Sequence, residues 1–226
     1  MSNCVAECPH RVIREKLASP ARIIVLGGYT GSGKTDLLHA IAAMGEQVID
    51  LEGLACHKGS VFGALGQSPQ PTNEQFENNL YARLYELDLS RTVWIEDESR
   101  MIGRVTLPDP MIDHITNGIL VRVELGVSAR INRLVKEYAM FDKQLLTGAI
   151  KRIGERLGGA RTNEAITALD KNRFDVVAAI TLSYYDKAYL YSISSRKTEN
   201  VHDILISGED MIKDASKIIE FANKCL

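Results

Sequence analysis

Residues 22–35 read RIIVLGGYTGSGKT, a short apolar run that passes directly into a glycine-rich loop. From Gly28 to Thr35 the loop matches the pattern G-x-x-x-x-G-K-[ST], the phosphate-binding motif called the P-loop or Walker A. Apolar residues with helical spacing follow Asp36, so the motif lies between a strand and a helix, as its chemistry requires. The segment therefore predicts a phosphate-binding loop within an α/β fold.

Each position of the loop has a physical task in phosphate binding. Glycines let consecutive backbone N–H groups turn toward phosphate oxygens, and the helix that begins near Gly33 adds the positive end of its dipole. We expect the Lys34 ammonium to reach the outer phosphates and the Thr35 hydroxyl to bind Mg²⁺. The predicted phosphate-binding residues are Gly28, Tyr29, Thr30, Gly31, Ser32, Gly33, Lys34 and Thr35.

Strand and helix patterns alternate along the rest of the chain. Besides the run before the loop, four short apolar runs are typical of buried strands: residues 47–51, 92–95, 118–125 and 203–207. Helical spacing of apolar residues separates these runs. The alternation predicts an α/β fold, a P-loop NTPase-like parallel sheet of about five strands flanked by helices.

The domain organisation follows from the same patterns. Residues 128–186 are almost wholly helical in pattern, which predicts a helical subdomain inserted before the last strand. We expect residues 1–21 to form an N-terminal extension and residues 22–226 to form one P-loop NTPase-like domain that contains this subdomain.

Composition excludes several classes of protein. The 226 residues carry 27 Lys+Arg and 29 Asp+Glu, a net charge of −2, so the chain is not a polycation that binds nucleic acid by bulk charge. No apolar run approaches the ~18 residues of a membrane span, and we predict a cytoplasmic protein that does not bind membranes. The four cysteines are too scattered for a disulfide framework, and Cys4 and Cys8 lack the second pair of ligands of a zinc site.

Acidic residues follow two of the predicted strands. P-loop proteins hold their metal with an acid at the end of a neighbouring strand, and Glu96 and Asp97 come directly after the apolar run at 92–95. We therefore predict Thr35, Glu96 and Asp97 as Mg²⁺ ligands. Glu98 and Arg100 would lie at the same edge of the sheet, although a solvated turn pair is an equally good interpretation of these two residues.

Several segments together resemble the P-loop half of the tRNA 2-selenouridine synthase family. The resemblance covers roughly residues 22–224, and its most specific parts are Leu-Glu-Gly-Leu-Ala at 51–55 and Glu-Ser-Arg-Met-Ile-Gly at 98–103. The matching segments, in order, are residues 28–35, 50–55, 57–60, 76–78 and 96–103, with weaker matches onward to Tyr189.

The resemblance implies a wobble-uridine modification. The family converts 2-thiouridine in certain tRNAs to 2-selenouridine through an S-geranylated intermediate made with geranyl diphosphate, with selenophosphate as the selenium donor. Its members usually carry a rhodanese-like domain with a catalytic cysteine before the P-loop half, and only about 20 residues precede the first strand here. A subunit of a split enzyme, a truncated piece and a diverged homologue all remain open, and a rhodanese-like protein or domain is an expected partner.

The ligand of the loop has two interpretations. Lys34, Thr35 and a metal ion could stabilise departing diphosphate as a thiocarbonyl sulfur attacks geranyl diphosphate, or the loop could bind ATP or GTP. The predicted catalytic residues are Lys34, Asp50, Glu52, Glu98 and Arg100. Two other functions stay open: a small-molecule kinase with Asp50 as general base and Arg130 and Arg133 as lid arginines, and a non-catalytic, nucleotide-dependent tRNA-binding subunit.

A local excess of positive charge indicates a nucleic-acid surface. Residues 122–161 hold nine Lys or Arg against four acids, and affinity for a polyanion comes largely from released counterions. Together with the resemblance, this excess predicts tRNA binding. The predicted RNA-binding residues are His57, Lys58, Arg130, Arg133, Lys151, Arg152 and Arg156. A tyrosine cluster at 184–191 could stack on bases, line a prenyl pocket or simply pack a helix.

Overall fold

A computed structural model describes residues 22–225, so the predicted N-terminal extension at 1–21, with Cys4 and Cys8, lies outside the described residues. Five strands form one parallel sheet in the order β2-β3-β1-β6-β7, and β4 and β5 form a separate antiparallel hairpin. The strands are β1 (Ile23–Gly28), β2 (Gln47–Ile49), β3 (Val93–Glu96), β4 (Met101–Ile102), β5 (Val105–Thr106), β6 (Ile119–Glu124) and β7 (Val201–Leu205).

Helices cover both faces of this sheet, which confirms the predicted α/β fold. In the described part of the chain they are α1 (Lys34–Ala43), α2 (Leu51–Ala55), α3 (Asn73–Glu86), α4 (Asp109–Asn117), α5 (Val127–Tyr138), α6 (Lys143–Arg152), α7 (Gly154–Leu157), α8 (Gly159–Asp170), α9 (Phe174–Ile193) and α10 (Met211–Cys225). Among residues 22–225, no helix is both long enough and apolar enough to cross a lipid bilayer.

The central strand β1 explains why the sheet is buried on both faces. All six of its residues are buried, and its alternating side chains enter two different apolar clusters. Val25 packs with Ile95 on the face covered by α3 and α4, and Ile24 packs with Trp94 on the face covered by α1 and α10. Each such side chain contributes about 1.5–3 kcal/mol by leaving water. Because the strands are parallel, the carboxyl ends of β1, β2 and β3 meet at one edge of the sheet.

Several element boundaries differ from the sequence predictions. The second strand ends at Ile49 instead of residue 51, because the Asp50 side chain accepts a hydrogen bond from the Gly53 N–H and starts α2. The last strand is Val201–Leu205, two residues earlier than predicted. The helices between β6 and β7 continue to Ile193, beyond residue 186, because no glycine or proline interrupts α9.

The five helices α5 to α9 between β6 and β7, called the helical insertion below, have an apolar core of their own. Leu146, Ile150, Leu169 and Val177 form this core, and Phe62 joins it from the segment between α2 and α3. The insertion is also anchored to the phosphate loop. The buried Arg130 guanidinium of α5 donates two 2.8 Å hydrogen bonds to Asp186 of α9 and one of 3.2 Å to the Thr30 carbonyl of the loop.

Candidate phosphate-binding and catalytic site

The segment between β1 and α1 has the backbone geometry of a phosphate-binding loop. Gly33 precedes α1 with φ +82°, a left-handed conformation that glycine adopts without steric cost. At Gly28 a Cβ would lie only 2.8 Å from both Ser32 Oγ and the Val123 carbonyl oxygen. The Lys34 ammonium curls back over the loop and donates a 3.0 Å hydrogen bond to the Gly28 carbonyl. The loop therefore depends on glycine where the motif places it.

Hydrogen bonds link the loop to an acid of α2 and, through it, to an acid of β3. Thr35 Oγ1 donates to Glu52 Oε2 over 2.7 Å, and the Glu52 backbone N–H donates to Glu96 Oε2 over 3.0 Å. Glu96 is fully buried, and its other oxygen, Oε1, has no hydrogen-bond partner. Glu52 was predicted as a catalytic residue and not as a metal ligand, yet it is the acid that accepts the hydrogen bond from Thr35. The sequence signal was present, since Glu52 follows β2 as Glu96 ends β3.

The three glutamates of this edge strongly affect one another's ionisation. Burial, with the neighbouring Glu52 and Asp50 carboxylates, raises the pKa of Glu96 to about 8. Burial also raises the pKa of Glu52, although the Lys34 ammonium opposes that rise. The pKa of Glu98 is well above its ordinary value because of burial and of Glu52. A cation would relieve this mutual repulsion.

These oxygens fit Mg²⁺ bound together with a phosphate ligand. Mg²⁺ takes one or two carboxylates, phosphate oxygens and waters in place of an all-protein cage. In residues 22–225 no group of three or more His, Cys, Asp or Glu side chains is arranged to hold a metal by itself. The buried Oε1 of Glu96 has no hydrogen-bond partner and lies beside the Thr35–Glu52 pair, so it is an oxygen that such an ion could take as a ligand.

Asp97 has partners of its own at the same edge. Arg196 Nη2 lies 2.6 Å from Asp97 Oδ1, and the Tyr189 hydroxyl donates to Asp97 Oδ2 over 3.1 Å. Of the two predicted metal acids, only Glu96 is thus joined through Glu52 to Thr35. Sequence analysis did not find Arg196, because nothing in a lone arginine 99 residues from Asp97 indicates the contact.

Asp50 is held by two partners at the end of β2. Its Oδ1 accepts from the Gly53 N–H over 2.6 Å, and its Oδ2 lies 2.7 Å from His39 Nε2 on α1. Sequence analysis missed His39, although it lies four residues after Thr35 and therefore on the same face of a helix. The Asp50 carboxylate orients the His39 imidazole and starts α2, the helix that carries Glu52.

A cavity of about 1050 Å³ opens above these residues and is large enough for a substantial ligand. All five predicted catalytic residues line it: Lys34, Asp50, Glu52, Glu98 and Arg100. Arg100 also forms an exposed ion pair with Asp109. Lys58, Arg133 and Arg196 also line the cavity and bring positive charge to it. The sheet edge and the helical insertion therefore share one polar cavity.

A narrow apolar pocket of about 50 Å³ adjoins this cavity within the helical insertion. Leu146, Leu169, Val177 and Ala178 are among the side chains that line it. The residues that line both the pocket and the cavity are Thr30, Ser60, Leu134, Tyr138 and Tyr185. The pocket therefore begins next to Thr30 of the phosphate loop.

Two of the predicted RNA-binding residues require correction. Arg130 is 2% exposed, and both of its terminal nitrogens donate to Asp186, with Nη1 also donating to the loop, so it is a structural anchor that a phosphate backbone cannot reach. His57 is 8% exposed, and burial together with Arg152 lowers its pKa, which disfavours the cation that RNA binding would use. A count of charged residues in the sequence does not indicate that Arg130 and His57 are buried.

The other five predicted RNA-binding residues divide between two places. Arg133 pairs with Asp36 directly over Gly33, and Lys58 pairs with Glu137, so both lie in the cavity beside the phosphate loop. Lys151, Arg152 and Arg156 are exposed on α6 and α7, where Arg152 donates to the Val61 carbonyl over 2.7 Å. Lys151, Arg152 and Arg156 are thus exposed cations of the insertion that do not line the cavity.

Comparison with known proteins places this geometry in a family. Residues 21–212 match the family model described as the tRNA 2-selenouridine synthase AAA domain. A tRNA 2-selenouridine synthase of Nitrosomonas europaea is 30% identical over 81% of the chain and 59% of its own length. One of Sulfurovum sp. is 36% identical over 86% of the chain and 59% of its own length.

The match is confined to one part of those relatives. The chain spans about 59% of the length of each of the two. The family model nevertheless covers most of the chain, including the phosphate loop, the acids that follow β2 and β3, and the helical insertion. The chain therefore belongs to the tRNA 2-selenouridine synthase family.

Proposed function

We propose that this chain is the P-loop part of a tRNA 2-selenouridine synthase that geranylates the wobble 2-thiouridine of tRNA. Its phosphate loop binds the diphosphate of geranyl diphosphate, and a surface of the helical insertion binds the tRNA. The observation that carries this proposal is the apolar pocket that begins at Thr30. A nucleotide has no hydrocarbon chain to place there, whereas geranyl diphosphate joins a diphosphate to one.

In the proposed step, the thiocarbonyl sulfur attacks the allylic carbon, and the C–O bond to diphosphate breaks with its electron pair on the leaving group. The N3 proton of the base is released to solvent, which leaves the S-geranylated base neutral. Lys34 and the N–H groups of the loop stabilise the charge that develops on the diphosphate. Thr35 and Glu52, with Glu96 behind them, would hold Mg²⁺, which supplies further positive charge to the leaving group. The distal end of the geranyl chain occupies the apolar pocket.

Exposed cations support the tRNA part of the proposal. Lys151, Arg152 and Arg156 lie on the insertion that also forms the apolar pocket, so bound tRNA could present a base to the shared cavity. The tRNA substrate also makes the cytoplasm the expected location. Selenation would follow with selenophosphate as donor, and we assign it to a rhodanese-like domain or protein.

Two assays distinguish geranyl diphosphate from ATP as the ligand of the phosphate loop. Full-chain protein is mixed in separate assays with geranyl diphosphate plus 2-thiouridine tRNA, and with ATP, and both products are measured. We expect S-geranylated tRNA without nucleotide, and loss of at least a hundredfold in rate for Lys34→Ala. Lys217→Ala is the matched control. Lys217 lies on α10, outside the cavity, and its ammonium donates to the Leu205 carbonyl of β7. Geranylation that survives in Lys34→Ala would contradict the proposal.

A second variant tests the apolar pocket itself. Ala178→Leu adds a branched side chain to the pocket lining and should weaken geranyl diphosphate binding about tenfold while leaving inorganic diphosphate binding unchanged. Ala168→Leu is the control, because Ala168 is a buried alanine of the insertion's apolar core that does not line the pocket. Equal binding of geranyl diphosphate by both variants would remove the pocket from the proposal.

The same assays test the two other functions. Phosphoryl transfer from ATP would favour the kinase, and tRNA binding without turnover would favour a non-catalytic subunit.

A further inference from the structure

The Arg196–Asp97 ion pair is enclosed at the edge of the sheet where the phosphate loop begins. The Arg196 side chain is 6% exposed and that of Asp97 is 8% exposed. Arg196 comes three residues after the end of α9, so it connects the helical insertion to the sheet. A pair buried this deeply is costly to form unless all of its polar atoms are satisfied.

One atom of this pair is not satisfied. Nη2 of Arg196 donates to Asp97, but Nη1 is buried and has no hydrogen-bond partner. Arg196 also lines the large cavity, together with Lys34 and Gly28 of the phosphate loop. A guanidinium presents its donors as a fork that suits two oxygens of a phosphate or a carboxylate, and half of this fork is unused.

Two cations lie within electrostatic range of Asp97. Burial raises the pKa of Asp97, and the Arg196 guanidinium and the Lys34 ammonium both oppose that rise. An oxyanion at the phosphate loop would contact Lys34 and give Nη1 of Arg196 its missing acceptor.

We propose that Arg196 is a phosphate-binding residue of this site, which contacts the diphosphate group of the loop's ligand together with Lys34. The inference rests on the proposed function in one respect, that the loop's ligand carries a diphosphate. It adds a cation from outside the sequence motif, contributed by the segment that joins the helical insertion to β7.

Asp97 and Tyr189 are positioning residues in this proposal. Asp97 orients Arg196 through Nη2, and Tyr189 in turn donates to Asp97 over 3.1 Å. The Tyr189 ring packs edge-on against Tyr29 of the loop, with 5.3 Å between ring centroids. Gly27 leaves room for this arrangement, since a Cβ there would lie 2.6 Å from the Tyr189 hydroxyl and 3.0 Å from Asp97 Oδ2.

Calorimetric titration of the full chain with inorganic diphosphate, in EDTA, tests the assignment. We expect Arg196→Gln to weaken diphosphate affinity at least tenfold, and Arg196→Lys to weaken it about threefold because the charge remains but the fork is lost. Asp97→Asn should bind diphosphate at least as tightly as wild type, since asparagine keeps the Oδ1 acceptor that orients Arg196 and removes a competing negative charge. If the ion pair were purely structural, the Asp97 and Arg196 variants would instead lose diphosphate affinity equally.

Arg122→Gln is the matched control. Arg122 also makes two hydrogen bonds to an aspartate, 2.6 Å each to Asp203, but does not line the cavity, so its diphosphate affinity should stay within twofold of wild type. An unchanged affinity in Arg196→Gln, or a loss as large in Arg122→Gln, overturns the proposal. If Arg196→Gln does not fold, an unchanged affinity in Arg196→Lys overturns it.

The same titration separates this inference from the proposed function. Diphosphate binding that Lys34→Ala loses and Arg196→Gln keeps overturns the role of Arg196 alone. A wild-type chain that does not bind diphosphate overturns both.

Discussion

The sheet edge and the helical insertion line the same cavity but contribute to it in different ways. At the sheet edge, hydrogen bonds of 2.7 and 3.0 Å connect Thr35 to Glu52 and Glu52 to Glu96, so individual atoms have defined positions. The insertion instead contributes an apolar pocket and exposed cations such as Lys151. In the function that we propose, the sheet would position the phosphate group and the insertion would provide shape and charge for the larger ligands.

The largest effect is expected where the sheet edge has no room for a side chain. Gly28→Val would bring its Cβ to 2.8 Å from the Val123 carbonyl at φ +152°, and should lower the free energy of unfolding by roughly 2–4 kcal/mol and abolish diphosphate binding. Gly148→Ala, on α6 of the insertion, is the control: nothing lies within 4 Å of its Cβ, and stability should rise by up to about 1 kcal/mol. Urea denaturation measures the free energy of unfolding of both variants. Equal values would contradict the expected difference between the sheet edge and the insertion.

The next largest effect concerns the anchor between the two regions. Arg130→Ala removes both hydrogen bonds to Asp186 and the contact with the loop, and should lower the free energy of unfolding by roughly 2–3 kcal/mol, because Asp186 is left partly buried and unpaired. Arg173→Ala breaks an exposed Arg–Asp pair of the insertion and should produce no measurable change. Denaturation curves that shift equally for both variants would rule out Arg130 as the anchor.

The pH dependence of stability should distinguish the sheet edge from a solvated surface. The pKa of Glu96 is about 8 in the folded chain and 4.5 as its ordinary value, so its contribution to stability is complete below pH 4.5 and is lost as pH rises through 8. In EDTA, Glu96→Gln should therefore reduce the loss of stability between pH 5 and 9 by roughly 2 kcal/mol. Glu220→Gln, in an exposed pair on α10, should leave the pH profile unchanged. A wild-type slope retained in Glu96→Gln would refute this assignment.

The smallest effect is expected on the exposed surface of the insertion. Reversing Lys151 and Arg152 to Glu should weaken tRNA binding several-fold at moderate salt and reduce the slope of log affinity against log salt by about 1–2. Lys213→Glu with Lys217→Glu on α10 is the charge-matched control and should alter tRNA binding much less. If the two double variants behave alike, the tRNA does not bind this surface of the insertion.

Much of the sheet edge could be predicted from the sequence because its signals are local. The motif from Gly28 to Thr35, the apolar strands and the acids that follow them are short segments with strong preferences, and the structure places Lys34, Glu52 and Glu98 in one cavity as expected. The partners of the cations could not be predicted in this way. Charge counts treated Arg130 like Lys151, yet one is buried against Asp186 and the other is exposed.

The sequence by itself determined the phosphate loop and the alternating order of strands and helices, because glycine conformations and apolar periodicity act over a few residues. Only the tertiary structure decided that Glu52 meets Thr35, that Asp97 meets Arg196, and that an apolar pocket adjoins the loop. Such contacts join residues that are 17 and 99 positions apart, and they exist only once the parallel strands and the helical insertion have packed together.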